Sequence, residues 1–350
     1  MHTEMLKRWG LISFILLFTM AAIVGCGTQE QQSEAAGNGE EDVIDSNDNQ
    51  QIEEDNSSNV NEQVDEDSGQ NFPLTITDDA DREVTIENKP ESIVSLQAST
   101  TEIVFDLGLG DKVIGVSDYS NYPEETQEID KLGGQEINVE KILSLLPEIA
   151  FVTDYHYENA KETIEQFEEA GITVVVVGSA TSFDDVYGDI TMIAKATGTT
   201  TEAEETISDM KTRLAEIKEK AEKEVTDKKK VWVEVSPAPD IYTTGTNTFM
   251  HEMLEAIQAI NVAAEHEGWV SLNEEEIVKL NPEVIVTTYG YYVDNPSQDV
   301  LSREGWAEVP AVKNEHVVDV DNDTVTRPGP RLIEGVETLA ELVYPEVFKK

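Results

Sequence analysis

The chain has 350 residues, a single cysteine and a formal net charge of −48 at pH 7. This acidity argues against binding to nucleic acid or to an anionic membrane surface, because both attract clusters of Lys and Arg. The length predicts about two domains, and 39% hydrophobic residues allow most of the chain to bury a core.

The N-terminus carries a targeting segment. Lys7 and Arg8 precede an uncharged apolar run at 9–24, which has the length of a signal-peptide core and is short for a membrane-spanning helix. The run ends where polar sequence begins, at Cys26. We therefore predict a lipoprotein signal peptide over residues 1–25 and lipidation of Cys26, which anchors the protein to the outer face of the cell membrane. The alternative is that Cys26 is a buried structural cysteine. The position of Cys26, where the apolar run meets polar sequence, argues against this alternative.

The next stretch changes sharply in composition. Residues 27–71 are rich in Gln, Asn, Ser, Glu and Asp and contain no Lys, Arg or aromatic residue. Such a segment buries too little apolar surface to offset its ordering entropy. We predict that residues 26–71 are the lipidated cysteine and a disordered acidic tether, which would let an anchored body reach a partner in the same membrane.

Short apolar runs then alternate with amphipathic helices. The runs at 74–77 and 83–86 flank the turn residues 78–81 and predict a β-hairpin. Further strands are predicted at 93–96, 113–116, 149–152 and 173–177, and helices at 100–107, 139–146, 157–170 and 183–196. This alternation predicts a parallel sheet covered by helices.

A long helical stretch interrupts the alternation. It runs from 201 to about 225, is rich in Glu and Lys, and has its apolar residues on one stripe. The strand-and-helix pattern restarts at Val231. We therefore predict three parts of an α/β body, which are an N-terminal lobe at 72–199, an interdomain helix at 200–228 and a C-terminal lobe at 229–350.

An internal repeat supports two related lobes. Residues 138–149 and 273–284 share the pattern N-x-E-x-I-x-x-L-x-P-E-[IV], which predicts an Asn-capped helix of two turns, a Pro and a strand. The repeat places Glu140 and Glu275 at equivalent positions. A carboxylate in the first helical turn commonly complements the helix dipole. A symmetric pair could also dock two basic pockets of a two-fold partner.

Several segments together resemble a known family. They are the two copies of the repeat, the segments 93–96, 101–103, 107–116 and 119–123, and the RPGPR segment at 327–331. It is the family of periplasmic binding proteins that serves importers of vitamin B12, ferric siderophores and haem. The resemblance implies two similar lobes with mostly parallel sheets, joined by one long interdomain α-helix, with the ligand in the cleft between them. It also implies an ABC permease with its cytoplasmic ATPase as the partner, docked through Glu140 and Glu275. We expect a monomer with no nucleic-acid partner.

The resemblance also implies a ligand site. Compared with the vitamin B12-binding members, five residues match positions that contact the ligand, namely Tyr119, Tyr242, Trp269, Asp323 and Arg327. We therefore predict a corrinoid ligand, with a ferric siderophore or haem as the alternative.

One departure from those members concerns a stacking tryptophan, which they carry six residues before each docking glutamate. Trp269 keeps this spacing before Glu275, whereas Gly134 stands at the matching position before Glu140. The loss of one stacking wall leaves room for a ligand of a different shape.

Other aromatic residues follow the predicted strands, at the edge of a parallel sheet where ligands bind. They are Tyr155, His156, Tyr157, Tyr289, Tyr291 and Tyr292. We expect some of them to line the cleft and others to be ordinary packing residues. His156, near the presumed cleft, could ligate the metal of haem or a corrinoid, although a lone histidine is more commonly a packing residue. We predict no metal site built by the protein itself.

Arg331 is a cation at the start of a predicted helix, where it opposes the helix dipole. Either an anionic ligand group or a salt bridge would explain it. Capture of an anion would favour a ferric siderophore.

Motifs of enzymes are missing from the sequence. There is no G-x-S-x-G elbow, P-loop, G-x-G-x-x-G or C-x-x-C motif. We predict a binding protein with no catalytic residues and no cofactor besides its ligand, and a secreted surface enzyme is the less favoured class.

Overall fold

The structure is a computed structural model that describes residues 70–349. The predicted signal peptide, Cys26 and all but the end of the tether lie outside these residues. None of the helices within 70–349 is long and apolar enough to cross a membrane.

The described chain begins with an antiparallel hairpin of β1 (Leu74–Thr77) and β2 (Glu83–Ile86). Asp78 organises its turn, since its side chain accepts a hydrogen bond from the Arg82 backbone at 3.0 Å and pairs with the Arg82 guanidinium at 2.8 Å. The same carboxylate accepts a hydrogen bond from the Val176 backbone at 3.0 Å. The hairpin is therefore tied to the sheet of the first lobe.

That sheet has five parallel strands in the order β5-β4-β3-β6-β7. The strands are β3 (Ile93–Ser95), β4 (Val113–Val116), β5 (Asp130–Lys131), β6 (Ile149–Thr153) and β7 (Thr173–Val177). The helices are α1 (Ala98–Asp106), α2 (Val139–Leu145), α3 (Asp154–Asn159), α4 (Lys161–Glu169) and α5 (Phe183–Thr197), with 3₁₀-helices at Gly110–Lys112 and Glu124–Glu128.

The single helix predicted at 157–170 is wrong, because two helices occupy this region. Thr153 caps the first one, α3, through a hydrogen bond from the His156 backbone, so it starts earlier than predicted. Ala160 then leaves the helical region at φ −130° and separates α3 from α4.

The long helix α6 (Thr200–Glu224) has 25 residues, which corresponds to about 37 Å at 1.5 Å per residue. Its buried stripe includes Met210, Leu214 and Ile217. Arg213 on the same helix makes a two-pronged ion pair with Glu337 near the C-terminus, at 2.8 and 2.9 Å. The helix therefore packs against the elements that follow it as well as those before it.

The second sheet has four parallel strands in the order β10-β8-β12-β13. They are β8 (Lys230–Glu234), β10 (Ile260–Asn261), β12 (Val284–Thr287) and β13 (Val317–Asp319), and a separate antiparallel ribbon joins β9 (Tyr242–Thr244) to β11 (Trp269–Ser271). The helices are α7 (Phe249–Ala256), α8 (Glu274–Leu280), α9 (Pro296–Leu301), α10 (Pro310–Lys313), α11 (Asn322–Thr326), α12 (Leu332–Val343) and α13 (Pro345–Phe348). The predicted α/β class with two mostly parallel sheets is confirmed, while the lobe boundaries stay predictions.

The two copies of the sequence repeat adopt the same local structure. Asn138 caps α2 and Asn273 caps α8, each by accepting a hydrogen bond from the backbone three residues on. Both helices have seven residues and end at a residue in the left-handed region, at φ 48° for Leu146 and 55° for Asn281. Each is followed by a proline and a central strand, as the repeat predicts.

The second sheet also buries one charged group, Glu234 at the end of β8. Its carboxylate accepts hydrogen bonds from Tyr289 at 2.6 Å, from Trp232 at 3.2 Å and from both arms of Arg303. Burying a carboxylate is costly unless it is paired and fully hydrogen-bonded. This network meets that requirement.

Candidate functional site

A hollow of about 470 Å³ lies at the carboxyl ends of the first sheet. Residues that end or follow four of its strands line the hollow, namely Leu96, Ser117, Thr153 and Ser179. Thr326, Arg327 and Pro328 of the second lobe line another part of it. Ligands of open α/β sheets bind at this edge, and the volume is in the range of small-molecule sites.

Five polar side chains beside the hollow form a charge cluster that joins the lobes, namely Glu102, Asn121, Asp323, Arg327 and Arg331. Glu102 on α1 is buried and accepts two hydrogen bonds from Arg331, at 2.7 and 2.8 Å, and one from Arg327. Arg327 also donates to Asp323 at 2.8 Å and to Asn121 at 2.9 Å. Asn121 donates to Asp323 at 2.8 Å. The cluster is a closed network between the lobes.

The position of Arg331 is explained by a salt bridge. Burial acts to lower its pKa, but the hydrogen bonds and negative charge of Glu102 outweigh burial and raise the pKa overall. The Arg331 guanidinium also stacks on the ring of Tyr122, 3.8 Å from its centre. An anionic ligand is therefore not needed to account for this residue.

Tyr119 lies next to Gly134, the position at which the stacking tryptophan of the vitamin B12-binding members is missing. The ring of Tyr119 is 65% exposed and lies over Gly134, where an added Cβ would approach it to 2.6 Å. Two backbone contacts hold the loop that carries Gly134. Asp118 accepts from Gly133 at 3.0 Å, and the Gly134 carbonyl accepts from His156 Nε2 at 3.0 Å. The space above Gly134 is thus occupied by the tyrosine.

His156 is a buried structural residue of this loop. Its Nδ1 accepts from the Thr153 backbone at 3.4 Å, which assigns the proton to Nε2 for the bond to Gly134. Burial lowers the pKa of His156, so the imidazole is neutral at pH 7. Because both ring nitrogens are engaged, ligation of a metal would require one of these bonds to break. Within residues 70–349, no group of His, Cys, Asp or Glu is suited to hold a metal ion.

Tyr242 and Trp269 lie on the ribbon of β9 and β11. Tyr242 pairs with Ser271 and Trp269 with Thr244, so the two aromatic side chains share one face of the ribbon. They are 45% and 50% exposed. The ribbon starts at the carboxyl end of β8, where the Val235 backbone donates to Tyr242 at 2.9 Å.

The structure therefore brings together only some of the predicted ligand residues. Tyr119 and Arg327 line the hollow, and Asp323 is bonded to Arg327. Tyr242 and Trp269 neighbour each other but do not line the hollow. The ligand role of all five stays a prediction.

The other aromatic residues divide into exposed and packed groups. Tyr155 lines the hollow, and Tyr291 and Tyr292 are exposed and meet edge to face at 4.7 Å. Tyr289 is fully buried against Glu234, so it is a packing residue.

Glu140 and Glu275 occupy the second position of α2 and α8, and both side chains are exposed. This geometry is compatible with docking and with helix-dipole complementation alike. Their docking role stays a prediction.

Glu102 and Asn121 are site residues that sequence reasoning missed. Glu102 lies in a predicted helix with no local sign of its role, and its partner Arg331 is 229 positions away. The only signal in the sequence was Arg331, a cation at the start of a helix, where its charge opposes the helix dipole and a carboxylate partner would explain it.

Comparison with known proteins gives a consistent result. A family model described as "Periplasmic binding protein" matches residues 93–324. The uncharacterized ABC transporter substrate-binding lipoprotein YvrC of Bacillus subtilis is 48% identical over 279 residues, covering 79% of this chain and 88% of the relative. The cobalamin-binding protein of Halobacterium salinarum is 30% identical over 284 residues, covering 78% and 74%.

A solved structure is also similar to this chain. It belongs to Staphylococcus epidermidis and is described as a possible iron-binding (periplasmic solute-binding) protein. The identity is 32% and the TM-score 0.66, with 73% of this chain and 100% of the other covered.

Proposed function

Since the chain belongs to the family of periplasmic binding proteins, we propose that it is the lipid-anchored, extracytoplasmic solute-binding component of an ABC importer for a corrinoid. The ligand binds between the lobes and is delivered to the permease. The single observation that carries the ligand class is the aromatic face of the ribbon. Tyr242 and Trp269 are half exposed there, on the same face of the ribbon, at the carboxyl end of the second sheet. Exposed aromatic clusters of this kind commonly mark binding sites.

Two further features support a corrinoid. Tyr119 is a third exposed aromatic ring, and unlike Tyr242 and Trp269 it lines the hollow. One relative, at 30% identity, is named a cobalamin-binding protein. A conjugated macrocycle with hydrogen-bonding side groups matches a cleft that offers exposed aromatic rings together with hydroxyl and amide groups.

The second candidate is an iron chelate, either a ferric siderophore or haem. The observation that favours it is the 32% identity to the described iron-binding structure. The charge cluster argues against those iron chelates that are anionic, because its arginines are already paired with carboxylates.

A fluorescence titration tests the ligand. The full chain, purified in detergent, is titrated with cyanocobalamin, dicyanocobinamide, haem and a ferric hydroxamate. We expect the corrinoids to quench the tryptophan fluorescence and expect Trp269→Phe to reduce this quenching, because Trp269 is 50% exposed whereas Trp232 and Trp306 are buried. Binding of an iron chelate with no response to either corrinoid would refute the corrinoid assignment.

An uptake assay tests the docking role. The double variant Glu140→Lys with Glu275→Lys should retain ligand affinity and abolish uptake, because the reversed charges would face basic permease pockets. A matched control reverses two exposed glutamates of α6, Glu204 and Glu216, and should leave uptake intact. Normal uptake by the Glu140 and Glu275 variant would contradict docking at these residues.

The membrane anchor is tested separately at Cys26, which lies outside the described residues. Cys26→Ser should release the protein from the membrane fraction into the medium, because the lipidated thiol is lost. Retention of this variant in the membrane would contradict a lipid anchor at Cys26.

A further inference from the structure

We infer that the cleft selects an uncharged or cationic ligand and excludes anions, and that Glu102 sets this preference by neutralising Arg331 and, together with Asp323, Arg327. The inference rests on the proposed function and names the charge class of its ligand. The ligand is a metal chelate whose edge carries amides or other neutral groups in place of carboxylates.

The first argument is that the positive charges beside the hollow are already used. Among the residues that line the hollow, all within the described part of the chain, Arg327 is the only cation. Its guanidinium donates to Glu102, Asp323 and Asn121. Arg331 donates twice to Glu102. Two arginines thus face two carboxylates, and the charge cluster is neutral.

The second argument is that an anionic ligand cannot easily displace Glu102. The side chain of Glu102 is only 2% exposed, and its two oxygens receive three donated hydrogen bonds. The buried Glu102 carboxylate is held by Arg327 and Arg331, because moving it away would break its hydrogen bonds and leave buried charges without a partner. An incoming anion would therefore meet arginines that already have an internal counter-ion.

The third argument is the sign of the remaining charge. Asp154 lines the hollow and is held there by hydrogen bonds from Ser179 at 2.9 Å and from the Tyr155 backbone at 2.7 Å. His156 is neutral, so it does not offset this carboxylate. The net charge of −48 on the whole chain adds a long-range repulsion of anions. The surroundings of the hollow are therefore negative.

The remaining lining of the hollow is neutral and hydrogen-bonding. Gln97, Ser99, Ser117 and Gln135 supply amide and hydroxyl groups. Such groups can donate to and accept from a ligand amide. Among the described residues that line the hollow, an ionised carboxylate would find neutral donors but no unpaired cation. Like charges placed close together are strongly disfavoured.

A pair of matched corrinoids tests the inference directly. Cobinamide carries amide side groups, and cobyrinic acid carries carboxylates on the same macrocycle. For the full chain in detergent, we expect cobinamide to bind at least about 100-fold more tightly than cobyrinic acid at pH 7. Equal affinities for the two would overturn the inference, whereas failure to bind any corrinoid would overturn the proposed ligand.

The variant Glu102→Gln tests the assigned residue. Within residues 70–349, it removes the only carboxylate bonded to Arg331 and one of the two bonded to Arg327, so the charge cluster becomes positive. The affinity for cobyrinic acid should then rise at least about tenfold, and the preference for cobinamide over cobyrinic acid should narrow. The control is Glu337→Gln, which releases Arg213 from a similar two-pronged pair whose residues do not line the hollow. This control should prefer cobinamide over cobyrinic acid by the same factor as the wild type. If a folded Glu102→Gln protein keeps the wild-type ratio of affinities for cobinamide and cobyrinic acid, the role of Glu102 is overturned.

A second variant covers the case in which Glu102→Gln does not fold, as judged by thermal unfolding. Asp154→Asn removes the negative charge from the hollow with little change in shape, and it should raise the affinity for cobyrinic acid several-fold. No change would overturn the inference. If the wild type binds only ferric chelates, the comparison becomes a cationic ferric hydroxamate against an anionic ferric catecholate. Preference for the catecholate would then overturn the charge selection.

Discussion

Asp189 on α5 provides a test of how the hairpin is fastened to the first lobe. Its carboxyl group is 8% exposed and hydrogen bonds to Asp79, which in turn accepts from the Gly178 backbone at 2.7 Å. Burial, followed by the negative charge of Asp79 and the hydrogen bond to it, raises the pKa of Asp189 to about 8 from an ordinary 3.8. Asp185 adds a smaller contribution of the same sign.

The direction of the pH effect follows from this raised pKa. Below about pH 4 both the folded and unfolded chains hold the proton, so Asp189 has no effect. Between about pH 4 and pH 8 only the unfolded chain releases it, and stability falls by about 1.4 kcal/mol per pH unit. The interval from 3.8 to pH 7 is about 3 units, so the wild type loses about 4 kcal/mol by pH 7.

The variant Asp189→Asn should remove this loss, because its amide keeps a donor for Asp79 and does not ionise. We expect the variant to be more stable than the wild type at pH 7 by up to about 4 kcal/mol, with the difference shrinking towards pH 4. Urea unfolding from pH 4 to pH 9 measures it. Asp184→Asn, an exposed change on the same helix, is the control. A stability difference that does not vary with pH would refute the reasoning.

Two further predictions concern the wall of the hollow and the buried charge of the second sheet. Gly134→Ala should push the ring of Tyr119 aside and weaken corrinoid binding by about 1 kcal/mol in a titration. Gly188→Ala, where an added Cβ has open space, is its control, and equal affinities of the two variants would contradict the contact. Glu234→Gln should lower the free energy of unfolding by about 3 kcal/mol in urea, because Arg303, whose side chain is only 10% exposed, loses its counter-ion. An unchanged urea midpoint would show that the pair contributes little.

Local sequence patterns predicted strands and helices correctly where the residues that mark the ends of an element lie next to it in the sequence. The hairpin strands and β7 match the predicted residues, since alternation and turn residues specify both the strand and its ends. The helix at 157–170 failed because its start depends on a side-chain cap at Thr153 that an apolar pattern does not show.

The candidate site was only partly predictable. The family resemblance selected Tyr119 and Arg327, which the structure places around one hollow. It did not reveal that Arg327 is neutralised, because Glu102 lies 225 positions away. The burial of Tyr289 depends in the same way on Glu234, which is 55 positions away.

The sequence by itself determined the alternation of strands and helices in the first lobe and the repeated helix of the two lobes, because these depend on periodicity and caps among near neighbours. The family was indicated by the resemblance of several short segments in their order and spacing. Only the tertiary structure decided the electrostatic character of the site. A guanidinium attracts an anion or ignores it according to the counter-ion beside it, and the chain brings Glu102 to Arg331 only by folding two lobes together.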